Sequence, residues 1–190
     1  MIALEPPYRM ARAEDGPRLA ELVNYAGHGL PLYVWQGLAK PGEDPWEVGR
    51  RRQVERAATG KVIVADRGKG ALAALTGYAL SPEPEEIGPD MPEVFRPLVE
   101  LENEVRGTWY VNILATVPEA RGQGFGTALL ALAERLAADE GLSRMSVIVA
   151  GDNGGARRLY ERCGYRETAR RPCIHGDWQS ETEDWVLLVK

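Results

Sequence analysis

Cysteines are scarce in this chain, which argues against a zinc-binding domain and against a small domain held together by disulfides. Only Cys163 and Cys173 occur among the 190 residues, and their spacing matches no zinc-binding framework. Two cysteines without a recognisable signal peptide are more often free thiols than a disulfide. We therefore expect both thiols to be structural and no metal to take part in function.

Long apolar runs are also missing. No run approaches the roughly 20 residues that cross a bilayer, and residues 1–10 carry Glu5 and two prolines where a signal peptide would have its apolar core. The sequence therefore predicts a cytoplasmic protein with no membrane partner.

The chain has no excess of basic residues. Its net charge is −5 and its pI is about 5.2, whereas broad binding to nucleic acid requires Lys and Arg gathered on one face. We expect no nucleic-acid partner. Any anionic ligand must then be held by a local arrangement of groups.

The composition is that of an ordinary globular protein, with 44% hydrophobic and 27% charged residues and no internal repeat. A chain of 190 residues can bury one substantial core. We expect a single domain over residues 1–190.

Hydrophobic periodicity predicts a mixed α/β order of elements. Strands are predicted over Tyr8–Ala11, Lys61–Asp66, Ala71–Ser81, Thr108–Val117, Arg144–Ala150, Tyr165–Cys173 and Thr182–Val189. Helices are predicted around Leu19–Ala26 and over Pro31–Leu38, Trp46–Ala58, Glu93–Val105, Gly124–Glu140 and Asn153–Cys163. The second and third strands are expected to form a hairpin.

A glycine-rich segment, Thr116–Gly126, joins the strand ending near Val117 to the longest predicted helix. Gly122, Gly124 and Gly126 remove side chains from alternate positions, so backbone N–H groups can approach an anion. The start of the helix adds unpaired N–H donors and the positive end of its dipole, and Arg121 adds a cation. The segment predicts a phosphate-binding site.

Two common nucleotide motifs do not fit this segment. A dinucleotide fingerprint requires a third glycine where Thr127 stands, and it belongs to a βαβ unit that the chain lacks near its start. An NTPase phosphate loop requires a lysine after its second glycine, and none follows here.

The pattern Arg121-x-x-Gly124-x-Gly126, preceded by Val117-Pro118, resembles the acyl-CoA loop of the GNAT superfamily of N-acetyltransferases. A second motif of that family is matched downstream by Asn153-x-x-Ala156-x-x-Leu159-Tyr160-x-x-x-Gly164-Tyr165. The resemblance implies an α/β fold of mixed α+β type. Its central sheet would be largely antiparallel, splayed at the acyl-CoA site and flanked by helices.

The resemblance also implies acetyl-CoA as cosubstrate. The residues expected to bind its pyrophosphate are Arg121, Gly122, Gln123, Gly124, Phe125, Gly126 and Thr127. The pantetheine arm is expected to pair with the backbone of Leu114, Ala115 and Val117 as an added strand. Asn153 stands where the family holds that arm, and it is equally a good N-cap for its own helix.

The implied reaction is direct attack of a primary amine on the acetyl thioester. Tyr160 falls on the tyrosine position from which the family protonates the departing thiolate, although a core tyrosine is the alternative. Some members carry a glutamate where this chain has Tyr110. The base is therefore sought in a water held by Tyr110 or by Asn112, which shares its strand face. The other candidates are Glu100, Glu102 and Glu104 on or near the preceding helix, of which Glu102 is preferred.

The resemblance leaves the acceptor open between a small-molecule and a peptide amine. Its recognition would fall to Tyr25–Trp46 and Pro172–Ser180, and homodimers are common in the family. A non-catalytic acyl-CoA-binding module with the same fold is the alternative function.

Overall fold

A computed structural model describes residues 2–190. Its α-helices are α1 (Gly16–Ala26), α2 (Leu30–Leu38), α3 (Pro45–Ala58), α4 (Arg96–Glu104), α5 (Phe125–Asp139) and α6 (Gly154–Arg162). Its strands are β1 (Tyr8–Met10), β2 (Val62–Asp66), β3 (Ala71–Ala79), β4 (Trp109–Thr116), β5 (Met145–Ala150), β6 (Arg166–Pro172) and β7 (Asp184–Val189).

The strands form one seven-stranded sheet in the order β1-β2-β3-β4-β5-β7-β6. Pairing is antiparallel for β1 with β2, β2 with β3, β5 with β7 and β6 with β7. The parallel pair, β4 with β5, joins Trp109–Val111 to Met145–Val147. The mixed, largely antiparallel sheet flanked by helices confirms the predicted fold class.

By its internal contacts the chain divides into two compact units. The first comprises the residues up to Gly77 together with Ile113–Ala131, and the second comprises Tyr78–Asn112 with Leu132–Lys190. The expectation of a single domain stays a prediction.

In the first unit, helices α1, α2 and α3 pack around Trp35. This side chain is buried with Val48 of α3, and its ring meets Trp46 edge-on at a centroid distance of 5.7 Å. Gly49 of α3 permits this packing, because a Cβ at that position would lie 2.5 Å from the Trp35 ring. The aromatic side chain at position 35 is therefore a core residue.

In the second unit, ion pairs join helix α4 to strand β6. The Arg171 guanidinium donates to Glu100 at 3.2 Å and also donates to Glu104. Leu101, between the two glutamates, is fully buried. These contacts fix the rotation of α4 and so decide which side chains it turns inward.

The element boundaries coincide with the predicted ones or differ by up to three residues, and two of the differences have a visible local cause. The predicted helix over Glu93–Val105 begins as a 3₁₀ turn, Glu93–Phe95, and becomes α-helical at Arg96. Asn153 lies outside α6 because its side chain caps the helix. Gly27, His28 and Gly29 end α1 as predicted, the last two with positive φ.

No helix between residues 2 and 190 is both long and apolar enough to traverse a bilayer. Over the same residues, no three His, Cys, Asp or Glu side chains are grouped as metal ligands would be. Both cysteines are free.

Candidate active site

Residues 117–124 of the glycine-rich segment connect β4 to α5, and residues 121–124 are exposed. A short 3₁₀ turn, Pro118–Ala120, follows the strand, and α5 begins at Phe125. Gly122 and Gly124 have φ angles of +74° and +84°, and, apart from their chain neighbours, no atom of residues 2–190 lies within 4 Å of where their Cβ atoms would be. The loop therefore combines a backbone conformation that favours glycine with open space beside the first amides of a helix.

Side chains of the loop are held by local hydrogen bonds. Arg121 Nε donates to the Thr116 carbonyl at 3.3 Å, and Gln123 Nε2 donates to the Glu119 carbonyl at 3.3 Å. Phe125 is buried beneath the loop, and Thr127 is exposed on the first turn of α5. The arrangement keeps a cation and several N–H donors at one helix N-terminus, where an anion is stabilised.

The backbone of Val117, directly after β4, already makes hydrogen bonds within the protein. The Val117 amide donates to the Leu72 carbonyl at 2.9 Å, and the Val117 carbonyl accepts from Ala120 at 3.0 Å. The amide of Val117 thus has a partner within the protein, and only its carbonyl retains a lone pair for a ligand. Ala115 is buried and Leu114 half-buried.

Glu102, Tyr110 and Asn112 form a hydrogen-bonded chain. The Tyr110 hydroxyl donates to the Glu102 carboxylate, and the Asn112 amide donates to the Tyr110 oxygen. Tyr110 is only 4% exposed. Tyr110 and Asn112 share a face of β4 because side chains alternate along a strand, and α4 turns Glu102 toward that face.

Burial raises the pKa of Glu102 to about 7, since the charged form is poorly solvated there, and the negative charge of Glu85 raises it further. The hydrogen bond from Tyr110 opposes this shift. A carboxyl group with this pKa changes its charge near neutral pH, as a general base must.

Tyr160 belongs to the same group. It lies on α6, 5% exposed, with its ring centroid 5.7 Å from that of Tyr165. Burial and the neighbouring Cys163 raise the pKa of the Tyr160 phenol far above 10, so it stays protonated. The pKa of Tyr110 is raised mainly by burial, and the charges of Glu102, Tyr78 and Tyr160 raise it further. The structure therefore brings together all four residues predicted to be catalytic.

Asn153 has the capping role that its position predicted. Its Oδ1 accepts from the Ala156 amide at 3.1 Å, which satisfies one of the free donors at the start of α6. A contact of Asn153 with the pantetheine arm stays a prediction.

Comparison with protein families matches residues 32–165 to the model described as "Acetyltransferase (GNAT) family". The chain belongs to this family. It is accordingly an acyltransferase, and acetyl-CoA is the cosubstrate that the family uses.

Solved structures share the GNAT fold at low sequence identity. An N-acetyltransferase from Staphylococcus aureus Mu50 is 18% identical, with a TM-score of 0.62 over 96% of this chain and 99% of the other. A mutant agmatine N-acetyltransferase in apo form is 18% identical, with a TM-score of 0.66 over 96% and 97%. A family member from Elizabethkingia anophelis with acetyl-CoA bound is 17% identical, with a TM-score of 0.51 over 73% and 81%. A comparison with curated proteins found no match.

Two further residues of this candidate site were not predicted from the sequence. Tyr78 on β3 meets the Tyr110 ring edge-on at a centroid distance of 5.6 Å. Glu85 follows a proline-rich stretch, yet its backbone is anchored to Asn103 of α4 by two hydrogen bonds of 2.8 and 3.0 Å. No periodic pattern marks either residue, because both reach the site through contacts distant in sequence.

The aromatic residues considered for acceptor recognition are largely structural. Trp35 is core, as described above, and Trp178 is buried, stacked at 6.0 Å on Trp185. His175 packs on Trp178 and shares a hydrogen bond of 2.8 Å with the Thr182 carbonyl. Tyr33 and Trp46, both half-buried, remain predicted contacts of the acceptor.

Proposed function

We propose that this protein transfers an acetyl group from acetyl-CoA to a primary amine of a small molecule or peptide by direct attack. The observation that supports it most is the chain Asn112–Tyr110–Glu102, with Glu102 poised near neutral pH and Tyr160 beside it. Glu102 can accept the proton that the amine loses, and Tyr160 can donate a proton to the departing thiolate, as direct transfer requires.

The loop from Arg121 to Thr127 fits a pyrophosphate. Gly122 and Gly124 leave open space where side chains would project, and α5 offers its first amides beside the Arg121 cation. Leu114, Ala115 and the Val117 carbonyl would pair with the pantetheine arm, with Asn153 as a further contact. Bound acetyl-CoA supplies an acetyl group activated as a thioester.

Glu102 acts as the general base through Tyr110. The amine proton passes to the Tyr110 oxygen while the phenolic proton passes to Glu102, so Tyr110 never carries a full negative charge. Asn112 holds the Tyr110 oxygen from its other side and keeps its O–H aimed at the carboxylate. The high pKa of Tyr110 is compatible with this relay, because the phenol is regenerated within the same step.

Tyr160 acts as the general acid. Burial raises the pKa of this phenol, so it is protonated throughout the working pH range but is a weak acid, and it gives up its proton only when the departing thiolate lies at hydrogen-bond distance. A thiolate with a conjugate-acid pKa of about 8.5 leaves more readily when it receives that proton.

The site favours a cationic amine. Glu85 and Glu102 interact with each other through their negative charges, Glu102 accepts from the Tyr110 hydroxyl, and the Tyr78 ring packs on that of Tyr110; acidic groups and aromatic rings both attract ammonium ions. The agmatine N-acetyltransferase with a similar fold acts, by its name, on such an amine. These features support a basic small molecule or a peptide amine as acceptor.

Amine-dependent release of free thiol from acetyl-CoA tests the proposal. The protein is incubated at pH 8 with acetyl-CoA and a panel of polyamines, amino acids, aminoglycosides and peptides. At least one amine is expected to raise thiol release well above the rate without amine. CoA binding without turnover for every amine class would instead favour the non-catalytic module.

Replacement of Gly124 by alanine is expected to weaken CoA binding by roughly tenfold. An L-residue at positive φ costs about 1–2 kcal/mol, and relaxation of that strain turns the loop amides away from the anion. Calorimetric titration with CoA measures the loss.

Gly60→Ala is the matched control, because Gly60 also has a positive φ of +67° and open space around it, in a turn after α3. Both variants should lose similar thermal stability. Equal CoA affinity in the two variants would contradict the assignment of the loop.

A further inference from the structure

Arg67 contacts the glycine-rich loop from the turn between β2 and β3. Its terminal nitrogen Nη1 donates to Gln123 Oε1 at 2.9 Å, and its guanidinium carbon lies 4.9 Å from the centre of the Phe125 ring. The hydrogen bond fixes one edge of the guanidinium, and the ring supports its face. An arginine from a different part of the sequence therefore lies at the N-terminus of α5.

The turn that carries Arg67 is rigidly built. One oxygen of Asp66 accepts from the amides of Gly68, Lys69 and Gly70 at 2.7 to 3.1 Å. These three bonds order the backbone immediately after Arg67.

The other oxygen of Asp66 is held by Arg9, which donates to it at 2.7 Å. Arg9 also donates two hydrogen bonds, of 2.7 and 2.8 Å, to the carboxylate of the buried Asp15. The hydrogen bonds from Arg9 and from the turn amides lower the pKa of Asp66, so its carboxylate stays charged and continues to accept these bonds at neutral pH. The turn is thus anchored to the core of its unit.

Arg67 makes no ion pair with any carboxylate in residues 2–190, whereas arginines 9, 50, 51, 157, 170 and 171 do. The remaining guanidinium N–H donors can therefore serve a ligand without breaking an ion pair. Guanidinium groups bind phosphate oxygens in bidentate fashion. This cation adds to Arg121 beside the same helix amides.

We propose that Arg67 binds the 5′-diphosphate of acyl-CoA, as a second cation of the loop delivered by the β2–β3 turn. This inference rests on the proposed function. Gln123 and Phe125 hold the guanidinium before the ligand arrives, so little side-chain entropy is lost on binding. Arg67 thereby sets affinity for the cosubstrate and takes no part in proton transfer.

Calorimetric titration of Arg67→Ala with CoA and with 3′-dephospho-CoA tests this. Both dissociation constants are expected to rise by the same factor, roughly ten- to a hundredfold, because both ligands carry the diphosphate. Arg67→Lys should recover part of the loss, since it keeps the charge and loses the fork. Arg52→Ala, which removes an exposed arginine of α3, should bind as the wild type does.

If the wild-type protein binds CoA, three results would overturn this inference and leave the proposed function standing. The affinity of Arg67→Ala for CoA could be unchanged, or only its affinity for CoA and not for 3′-dephospho-CoA could fall, which would place Arg67 on the 3′-phosphate. The third result is a loss of affinity explained by a lower melting temperature of the ligand-free variant. Absence of CoA binding by the wild type would overturn the proposed function and this inference together.

Discussion

Glu102→Gln is expected to lower kcat/KM for the acceptor amine by about 10²- to 10⁴-fold, the usual contribution of a positioned general base. Glutamine keeps the shape of the side chain and an oxygen that accepts from Tyr110, but it cannot take the proton. The KM for acetyl-CoA should change little, because Glu102 lies outside the residues assigned to the cosubstrate. Steady-state kinetics with each substrate varied in turn measures both effects.

The pH profile makes this prediction specific. With a pKa of about 7, Glu102 is largely protonated below neutral pH and cannot act as a base. Wild-type kcat/KM should therefore fall as the pH is lowered through 7, and that limb should vanish in Glu102→Gln. A retained limb would assign the titration to another group.

Stability should change in the opposite direction to activity. The raised pKa means that the folded protein holds a proton that the unfolded chain loses at a pH near 4.5. Glu102 therefore lowers stability as the pH rises from about 4.5 to 7. Glu102→Gln should melt above the wild type at pH 8, with the gap narrowing at pH 5, so inactivity cannot be ascribed to unfolding.

Two variants control the experiment. Glu93→Gln changes the same residue type at an exposed position in the 3₁₀ turn that leads into the same helix, where it takes no part in the Arg171 ion pairs that orient α4, so activity should persist. Tyr110→Phe breaks the relay and leaves the charge of Glu102 in place. If the two residues act in one step, the double variant should be hardly slower than either single one. Additive losses would separate their roles.

The sequence predicted those parts of the site that are encoded locally. The loop could be predicted because three alternating glycines at a strand–helix junction are by themselves a local signal of an anion-binding backbone. Tyr110 and Asn112 followed from the alternation of β4, and Glu102 from the helix just before that strand. Their hydrogen bonding could not be predicted, because it depends on the rotation of α4, which Arg171 on distant β6 helps to fix.

Tyr78, Glu85 and Arg67, which we propose to belong to the site, could not be predicted from the sequence. Tyr78 depends on the alignment of β3 beside β4, and Arg67 on its hydrogen bond to Gln123, 56 residues further along the chain. Glu85 depends on the anchoring of its segment by Asn103. In each case the deciding contact joins residues far apart in sequence, which periodicity does not report.

Tyr160→Phe is expected to reduce kcat by about a hundredfold, the low end of the range for a general acid. The ring and its packing against Tyr165 remain, so only the proton donor is lost. Affinity for acetyl-CoA should persist, which calorimetric titration of the variant can establish beside its turnover. A variant with unchanged kcat would remove Tyr160 from the mechanism and leave it as a core residue.

Tyr165→Phe provides the matched control for this experiment. The Tyr165 hydroxyl is buried and has no hydrogen-bond partner in residues 2–190, so its removal deletes a poorly solvated group and breaks no bond. The variant should keep full activity and gain about 1 kcal/mol of unfolding free energy. Because the two rings are neighbours of similar burial, a loss of turnover confined to Tyr160→Phe would be due to the proton that its hydroxyl carries. Equal losses in both variants would instead indicate that the ring pair only shapes the core around α6.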